Sequence, residues 1–277
     1  AWQVTQLTGT NFTETREYNE RLQVTRIYQS GSDTHYYYPD AQNNDGRITR
    51  RNINGTDKTY TYDSLGRLAT AGSASYSYDG FGNRLTQTTP SMTLTYNASN
   101  NRITTTGYSY DNNGNLTTTP TLTLAYDVEN RLAQAQTAAV TEMYVYAPNG
   151  QRVSKQKLNM SGKEWYFHGV DGRLIGTYTR CSMVEMLFQE QTTNVYFGGR
   201  VLQAQGESVM RQDRLGTVSW SATNYVPFGE DAKYNDGFGF TGYYRDGGST
   251  GLDYAQQRYY APAIGRFTTA DPYMPSA

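Results

Sequence analysis

The sequence predicts an all-β chain of tandem β-hairpin repeats, paired into a long curled antiparallel sheet with very little helix. Three observations carry that expectation. Tyrosine is abundant, with 26 copies in 277 residues against 9 Phe and 3 Trp. Tyr and Thr favour pleated, half-buried surfaces, while Gly, Asn and Asp favour the turns between them. One motif also recurs in frame, and windows of helix formers with a 3.6-residue period are almost absent.

The motif is Tyr, then Asp or Asn, two or three variable residues, Gly or Asn, Arg or Asn, and finally Leu, Ile or Val. Tyr62-Asp63-Ser64-Leu65-Gly66-Arg67-Leu68 is the cleanest copy. Tyr78-Asp79-Gly80-Phe81-Gly82-Asn83-Arg84-Leu85 follows, then copies led by Tyr96-Asn97, Tyr110-Asp111 and Tyr126-Asp127. Tyr146-Ala147-Pro148-Asn149-Gly150-Gln151-Arg152-Val153 keeps the frame without the Asp. The leading tyrosines stand at 62, 78, 96, 110, 126 and 146, in steps of 16, 18, 14, 16 and 20. Weaker copies begin at Tyr18 and near Gly169, where His168 fills the tyrosine position.

Each part has a physical task. Tyr ends a strand. Asp or Asn accepts hydrogen bonds from amides further along and starts the turn. Gly or Asn supplies the positive φ that closes it. Arg-Leu then opens the return strand, with Leu expected inward and Arg outward by the period of two. The stretches Ser75–Tyr78, Thr93–Tyr96 and Thr121–Tyr126 alternate as half-buried strands do. A lone hairpin cannot bury its apolar face, so neighbours must stack into a continuous sheet.

Bulk properties exclude several classes. Lys and Arg total 24 against 25 Asp and Glu, a net charge of -1, so no global field favours nucleic acid or an anionic membrane. A single cysteine, Cys181, rules out an internal disulfide framework and cysteine-rich zinc sites. No stretch approaches the roughly 18 apolar residues of a membrane span. Both termini read as cuts from a longer chain.

The run resembles the RHS/YD-repeat family, which includes bacterial RHS proteins, the C components of insecticidal toxin complexes, and teneurins. The tail strengthens the resemblance. Thr241–Asp246, Gly251–Tyr260 and Gly265–Pro272 are similar to the RHS-associated core that closes such arrays, and Asp213–Val218 with Tyr225–Glu230 resemble the segment before it. The resemblance implies a sheet strip spiralling into a barrel-like shell, around a C-terminal cargo in toxin-related members. It also implies a role in self-cleavage for Asp271, one of two aspartates the family uses. Arg266, in Gly-Arg-Phe, is a candidate to pair with a carboxylate near Asp271. The motif that would hold the second aspartate is missing here. The plainer reading is that Asp271 caps a turn before Pro272. Arg258 and Arg245 are similar candidates, although arginines beside aromatic residues more often stack or pair structurally.

Other constellations are weaker. His35 and His168 lack metal-ligand spacing. Asp40–Gly46 is rich in oxygen but lacks the terminal glutamate of a calcium loop. Neither a metal nor a cofactor is expected. Tyr36-Tyr37-Tyr38, Tyr243-Tyr244 and Tyr259-Tyr260 would send adjacent rings to opposite faces, as a strand covered on both sides would, or would form platforms for sugars. Cys181–Phe188 breaks the repeat style and reads as a strand against apolar surface. Glycosylation sequons begin at Asn11, Asn54, Asn97, Asn115 and Asn159.

The domain organisation expected is irregular hairpins over 1–61, regular repeats over 62–153, degenerate repeats over 154–212 and a truncated core-like closure over 213–277. The functional expectation is a structural shell segment of a larger secreted or surface bacterial protein, not an enzyme. It would enclose or display its own C-terminal polypeptide behind a lumen wall of Thr, Asn and Tyr. Two alternatives stand beside it: a glycan- or cell-surface-binding module, and part of an autoproteolytic core at Asp271. Exposed sheet edges would favour self-association.

Overall fold

The computed structural model describes residues 3–9, 12–29, 31–158, 162–180, 188–203, 210–218, 226–230, 236–246 and 249–271. The sequons at Asn11 and Asn159, the segment from Cys181, Tyr225 and the end from Pro272 lie outside them. The described elements are antiparallel strands and one short 3-10 turn, Phe240–Gly242, as the composition predicted. Every sheet is a meander, each strand bonded to its neighbours in sequence.

The chain forms two compact units, residues 1–94 with 208–227 and residues 95–207 with 228–277. The first holds a ten-stranded sheet running from Gln6–Gly9 to Ser91–Thr93. Its longer turns are those of the tyrosine motif. Opposite them lie two-residue turns such as Asn54-Gly55, where both φ values are positive, at 47° and 86°. That is the geometry a twisted hairpin selects.

Cross-strand register sorts the side chains onto two faces. On one face of the first unit, Arg16 is level with Ile27, Tyr36 with Arg51, Tyr60 with Ala71, and Tyr76 with Gln87, and all of these are buried. Met210, Gln212, Thr217 and Val218 of the later segment are also buried in this unit, and the Arg214 amide donates to the Tyr36 hydroxyl at 3.3 Å. The other face carries exposed hydroxyl pairs, Thr61 with Thr70 at 2.7 Å and Ser77 with Thr86 at 2.6 Å.

The second unit holds a nine-stranded sheet from Ser109–Tyr110 to Phe188–Thr193, a two-stranded hairpin, and a five-stranded sheet from Gly237–Phe238 to Arg266–Phe267. The five-stranded sheet packs on the nine-stranded one. The ring centroids of Tyr144 and Tyr259 are 5.2 Å apart, those of Tyr166 and Tyr244 5.6 Å. The Leu116 amide donates to the Thr268 carbonyl at 2.8 Å.

The hydroxyl-rich face is the exposed one. The covered face is built of Tyr, Leu and paired polar groups, and in both units a later segment of the same chain lies against it.

Candidate functional site

The repeat is a braced turn. Counting the leading residue as one, the fifth residue has a positive φ in eight turns: Leu22, Gly66, Gly82, Gly114, Asn130, Gly150, Gly172 and Gly216. In each, the second residue exchanges backbone bonds with the fifth and sixth, as Asp63 does with Gly66 and Arg67, both at 2.9 Å. The Asp side chain reinforces this backbone. Asp63 accepts from the amides of Leu65 and Arg67 and from the Arg67 guanidinium. Asp79, Asp111 and Asp127 repeat the pattern with Asn83, Asn115 and Arg131. Burial tends to raise the carboxyls of Asp63, Asp79 and Asp127, yet the groups donating to them hold all three below the usual range. Ala147 and Gly169 make the same turn without a carboxylate.

Successive repeats are locked together. Tyr62 donates its hydroxyl to the Ile48 carbonyl at 2.9 Å, Tyr78 to Leu68 at 2.8 Å, Tyr126 to Leu116 at 2.7 Å and Tyr146 to Leu132 at 2.6 Å. Tyr18, Tyr38 and Tyr196 do likewise. Tyr110 instead accepts from the Ile103 amide, and Tyr96 forms a bridge with Ile103. The arginine of one turn lies over the tyrosine of the next: Arg47 on Tyr62, Arg67 on Tyr78 and Arg131 on Tyr146, at 5.0, 4.9 and 5.2 Å. These arginines line the brace rather than pointing freely outward.

The seventh residue opens the return strand opposite the leading residue. It is Val24, Leu68, Leu116, Leu132, Leu174 or Val218 in six turns. In the other two it is Arg84 and Arg152, both buried. The expected outward arginine is therefore overturned at these positions. The left-handed fifth residue sets the frame, so the extra residue falls after the seventh position, as a β-bulge.

Arg152 centres a buried polar cluster in the second unit. Its guanidinium donates to Asp246 at 2.6 Å and to the Tyr259 hydroxyl at 3.0 Å, with no side-chain exposure for Arg152 or Asp246. The rings of Tyr166 and Tyr254 lie 4.2 and 4.6 Å from it. Lys155 reaches Asp236 at 2.7 Å, Asp246 at 3.1 Å and Glu164 at 3.3 Å. Burial would lower the Lys155 ammonium, but the carboxylates of Asp246, Glu164 and Asp236 outweigh it and keep it charged. Glu142 accepts from Tyr144 and Ser249, and burial together with Asp246 raises its carboxyl. Arg245 pairs separately with Asp253 at 2.6 Å.

Asp271 pairs with Arg258 at 2.9 Å, and Arg258 stacks on Phe267 at 3.8 Å. Arg266 lies over Tyr96 at 5.3 Å and donates to the Asn101 carbonyl. In the first unit, Tyr36 is buried while Tyr37 is exposed beneath Arg50. An open groove of about 460 Å³ there is lined by Glu17, Glu20, Arg26, His35, Tyr37 and Asn44. Asp40 is occupied by the amides of Gln42 and Asn43. Burial lowers His168. Among the described residues, no group of three or more His, Cys, Asp or Glu is placed to hold a metal ion, and no helix is long and apolar enough to cross a membrane.

No protein-family model matches the chain. Two curated relatives do: the tRNA3(Ser)-specific nuclease WapA of Bacillus spizizenii and the tRNA nuclease WapA of Bacillus subtilis strain 168. Each is 27% identical over 225 residues, covering 71% of this chain and 9% of the relative. Among solved structures, the Photorhabdus luminescens Tc holotoxin pore with TccC3-D651A matches with a TM-score of 0.71. The TcdB2–TccC3 complex matches at 0.69. Both are 18% identical and cover 95% of this chain and 17% of theirs. The in-frame turns, the tyrosine braces and these matches agree. The chain has the fold of the RHS-repeat shell in these toxin structures.

It spans 9% of the length of the curated relatives, so the nuclease activity in their names belongs to those whole proteins. Within the repeat array, sequence reasoning missed one repeat. Gln212–Val218 makes the motif's turn around Asp213, and only the spacing Asp213-x-x-Gly216-x-Val218 signals it. It also missed Lys155, Glu142 and Glu164, whose signal is charge at inward positions of an alternating strand.

Proposed function

We propose that the chain is a wall-and-closure piece of the shell of a larger, secreted or surface-displayed RHS-type toxin-related protein, which encloses or displays its C-terminal polypeptide. The tyrosine brace supports this reading most. Hydroxyl bonds and arginine stacks link consecutive hairpins, so rigidity comes from the repeat itself and the array can extend without a central globular core. The chain's own role in this reading is structural and needs no metal or cofactor. Its partners are the rest of the shell and the enclosed polypeptide.

The test is protease challenge of the full-length parent with its natural array and with Tyr62→Phe and Tyr126→Phe together. The C-terminal polypeptide is expected to resist digestion behind the intact array and to be cut faster behind the weakened one. Equal digestion in both would overturn the reading.

A second reading rests on the groove beside Tyr37, whose mixed polar and aromatic lining suits a sugar. A glycan array with no signal above background would remove it. The self-cleavage role for Asp271 and Arg266 is tested by Asp271→Asn in the parent, where persistence of the cleaved product would exclude it.

A further inference from the structure

The eight turns pose a problem of register. Their backbones repeat, so a segment packing on the covered face meets nearly the same surface at every hairpin. Apolar contacts alone, being non-directional, would let it seat at more than one.

One hairpin differs at two places. Its seventh residue is Arg152, in a position that is Leu or Val in six other turns. The next repeat leads with His168, where a tyrosine elsewhere reaches back to the seventh residue. The first difference falls where the closing segment docks. Tyr254 contributes a hydroxyl that accepts the Arg152 amide at 2.6 Å. Asp246 receives the guanidinium at 2.6 Å and Lys155 at 3.1 Å. Asp246 leads a short loop in which its carbonyl accepts the Gly251 amide and its amide donates to Leu252. Ser249 of that loop donates to Glu142, and Leu252 is buried.

We propose that the hairpin from Tyr146 to Lys157 is the address at which the array accepts its closing segment, and that its ligand is the group formed by Asp246, Ser249 and Leu252. Arg152 is a positioning residue. Seated on any of the six hairpins with Leu or Val in the seventh position, the loop would bury Asp246 opposite an apolar side chain and leave Arg152 unpaired, and both errors are heavily penalised. The first unit also buries an aspartate-led turn of the later segment. There Asp213 leads the turn that lies against the covered face, burial raises its carboxyl although the Thr217 and Leu215 amides it accepts oppose the shift, and Tyr36 accepts the Arg214 amide. The inference concerns this chain alone and stands apart from the shell reading.

The test is hydrogen exchange on the 277-residue chain. Arg152→Leu installs the residue that the position usually carries. Amides of Tyr244–Arg245, Asp253–Ala255 and Arg258–Ala261 are expected to exchange at least about tenfold faster, while those of Thr123–Tyr126 and Leu132–Gln136 keep their protection. Arg152→Leu with Asp246→Leu should lose less protection than the two single changes summed, because no buried charge is then stranded on that pair. Unchanged exchange in the closing segment, or an equal rise throughout the unit, would overturn the proposal. Should Arg152→Leu not fold, Asp246→Asn decides, since it keeps the shape and removes the charge. Selective loss of protection over 244–261 supports the address, and uniform loss or none refutes it.

Discussion

The hydroxyl of Tyr62 donates to the carbonyl oxygen of Ile48 at 2.9 Å, across one repeat of the array. The bond is half-buried and ties two consecutive turns of the array to each other. Tyr62→Phe keeps the ring under Arg47 and removes only the bond. The expected loss is about 1 kcal/mol of unfolding free energy. Tyr126→Phe, in the other compact unit, should cost a similar amount. The two should add to within about 0.5 kcal/mol in urea denaturation, because they share no partners. No loss in either variant would mean that the brace is incidental.

Leu22 holds a φ of 59° at a turn position where glycine is usual. A side chain there costs roughly 1–2 kcal/mol of backbone strain. Leu22 is largely exposed, so little burial is at stake. Leu22→Gly should therefore raise stability by about 1 kcal/mol, less the chain entropy that glycine adds. Asn130→Gly should gain less, because asparagine tolerates the left-handed region. Gly66→Ala should destabilise, since its φ is 78° and the added methyl would collide with the Arg47 guanidinium. Thermal unfolding of the three variants checks the order, and a stabilised Gly66→Ala would contradict it.

These turns were legible because their determinants are local. Tyr62-Asp63 and Gly66 lie within five residues, and each has one backbone task. The frame at Arg84 and Arg152 was not legible, because Arg-Leu and Arg-Val imitate the consensus one residue late. Only the bulge shows that the arginine has taken the leucine's place. The cluster around Arg152 was out of reach for a different reason. Its partner Asp246 is 94 residues away, and neither residue type announces burial. The braces fall between the two cases: the tyrosine spacing was visible, but the hydroxyl's target is a backbone atom that any sequence would supply.

Burial raises the phenols of Tyr36, Tyr126, Tyr144, Tyr146, Tyr166, Tyr244 and Tyr259 above their ordinary value of 10.0. Above pH 10 the unfolded chain releases protons that the native chain keeps. The native state then binds more protons, so stability is intact below pH 10 and falls as pH rises past it. The slope approaches about 1.4 kcal/mol per pH unit for each such tyrosine. Urea midpoints at pH 9, 10 and 11 should drop steeply over the last step, with phenolate absorbance following unfolding rather than preceding it. A midpoint that stays flat to pH 11 would show that these rings are accessible in the native state.

The acid side offers the converse test at one residue. Glu142 is fully buried, and both desolvation and the charge of Asp246 raise its carboxyl above the ordinary 4.5. Lys155, Ser249 and Tyr144 oppose the shift without cancelling it. A raised native value means that the native state takes up a proton before the unfolded chain does. Its contribution is fully present below pH 4.5 and fades as pH climbs through the native value. Glu142→Gln removes that proton equilibrium and introduces a constant offset from altered hydrogen bonding with Tyr144 and Ser249. The wild type should therefore gain stability relative to the Gln variant as pH falls from 7 to 4, whatever the offset. Chemical denaturation of both proteins at several pH values reads the difference directly. A difference that is constant across that range, or that grows in favour of Gln toward acid, would place the Glu142 carboxyl at or below its ordinary value and remove excess negative charge as a feature of the buried cluster.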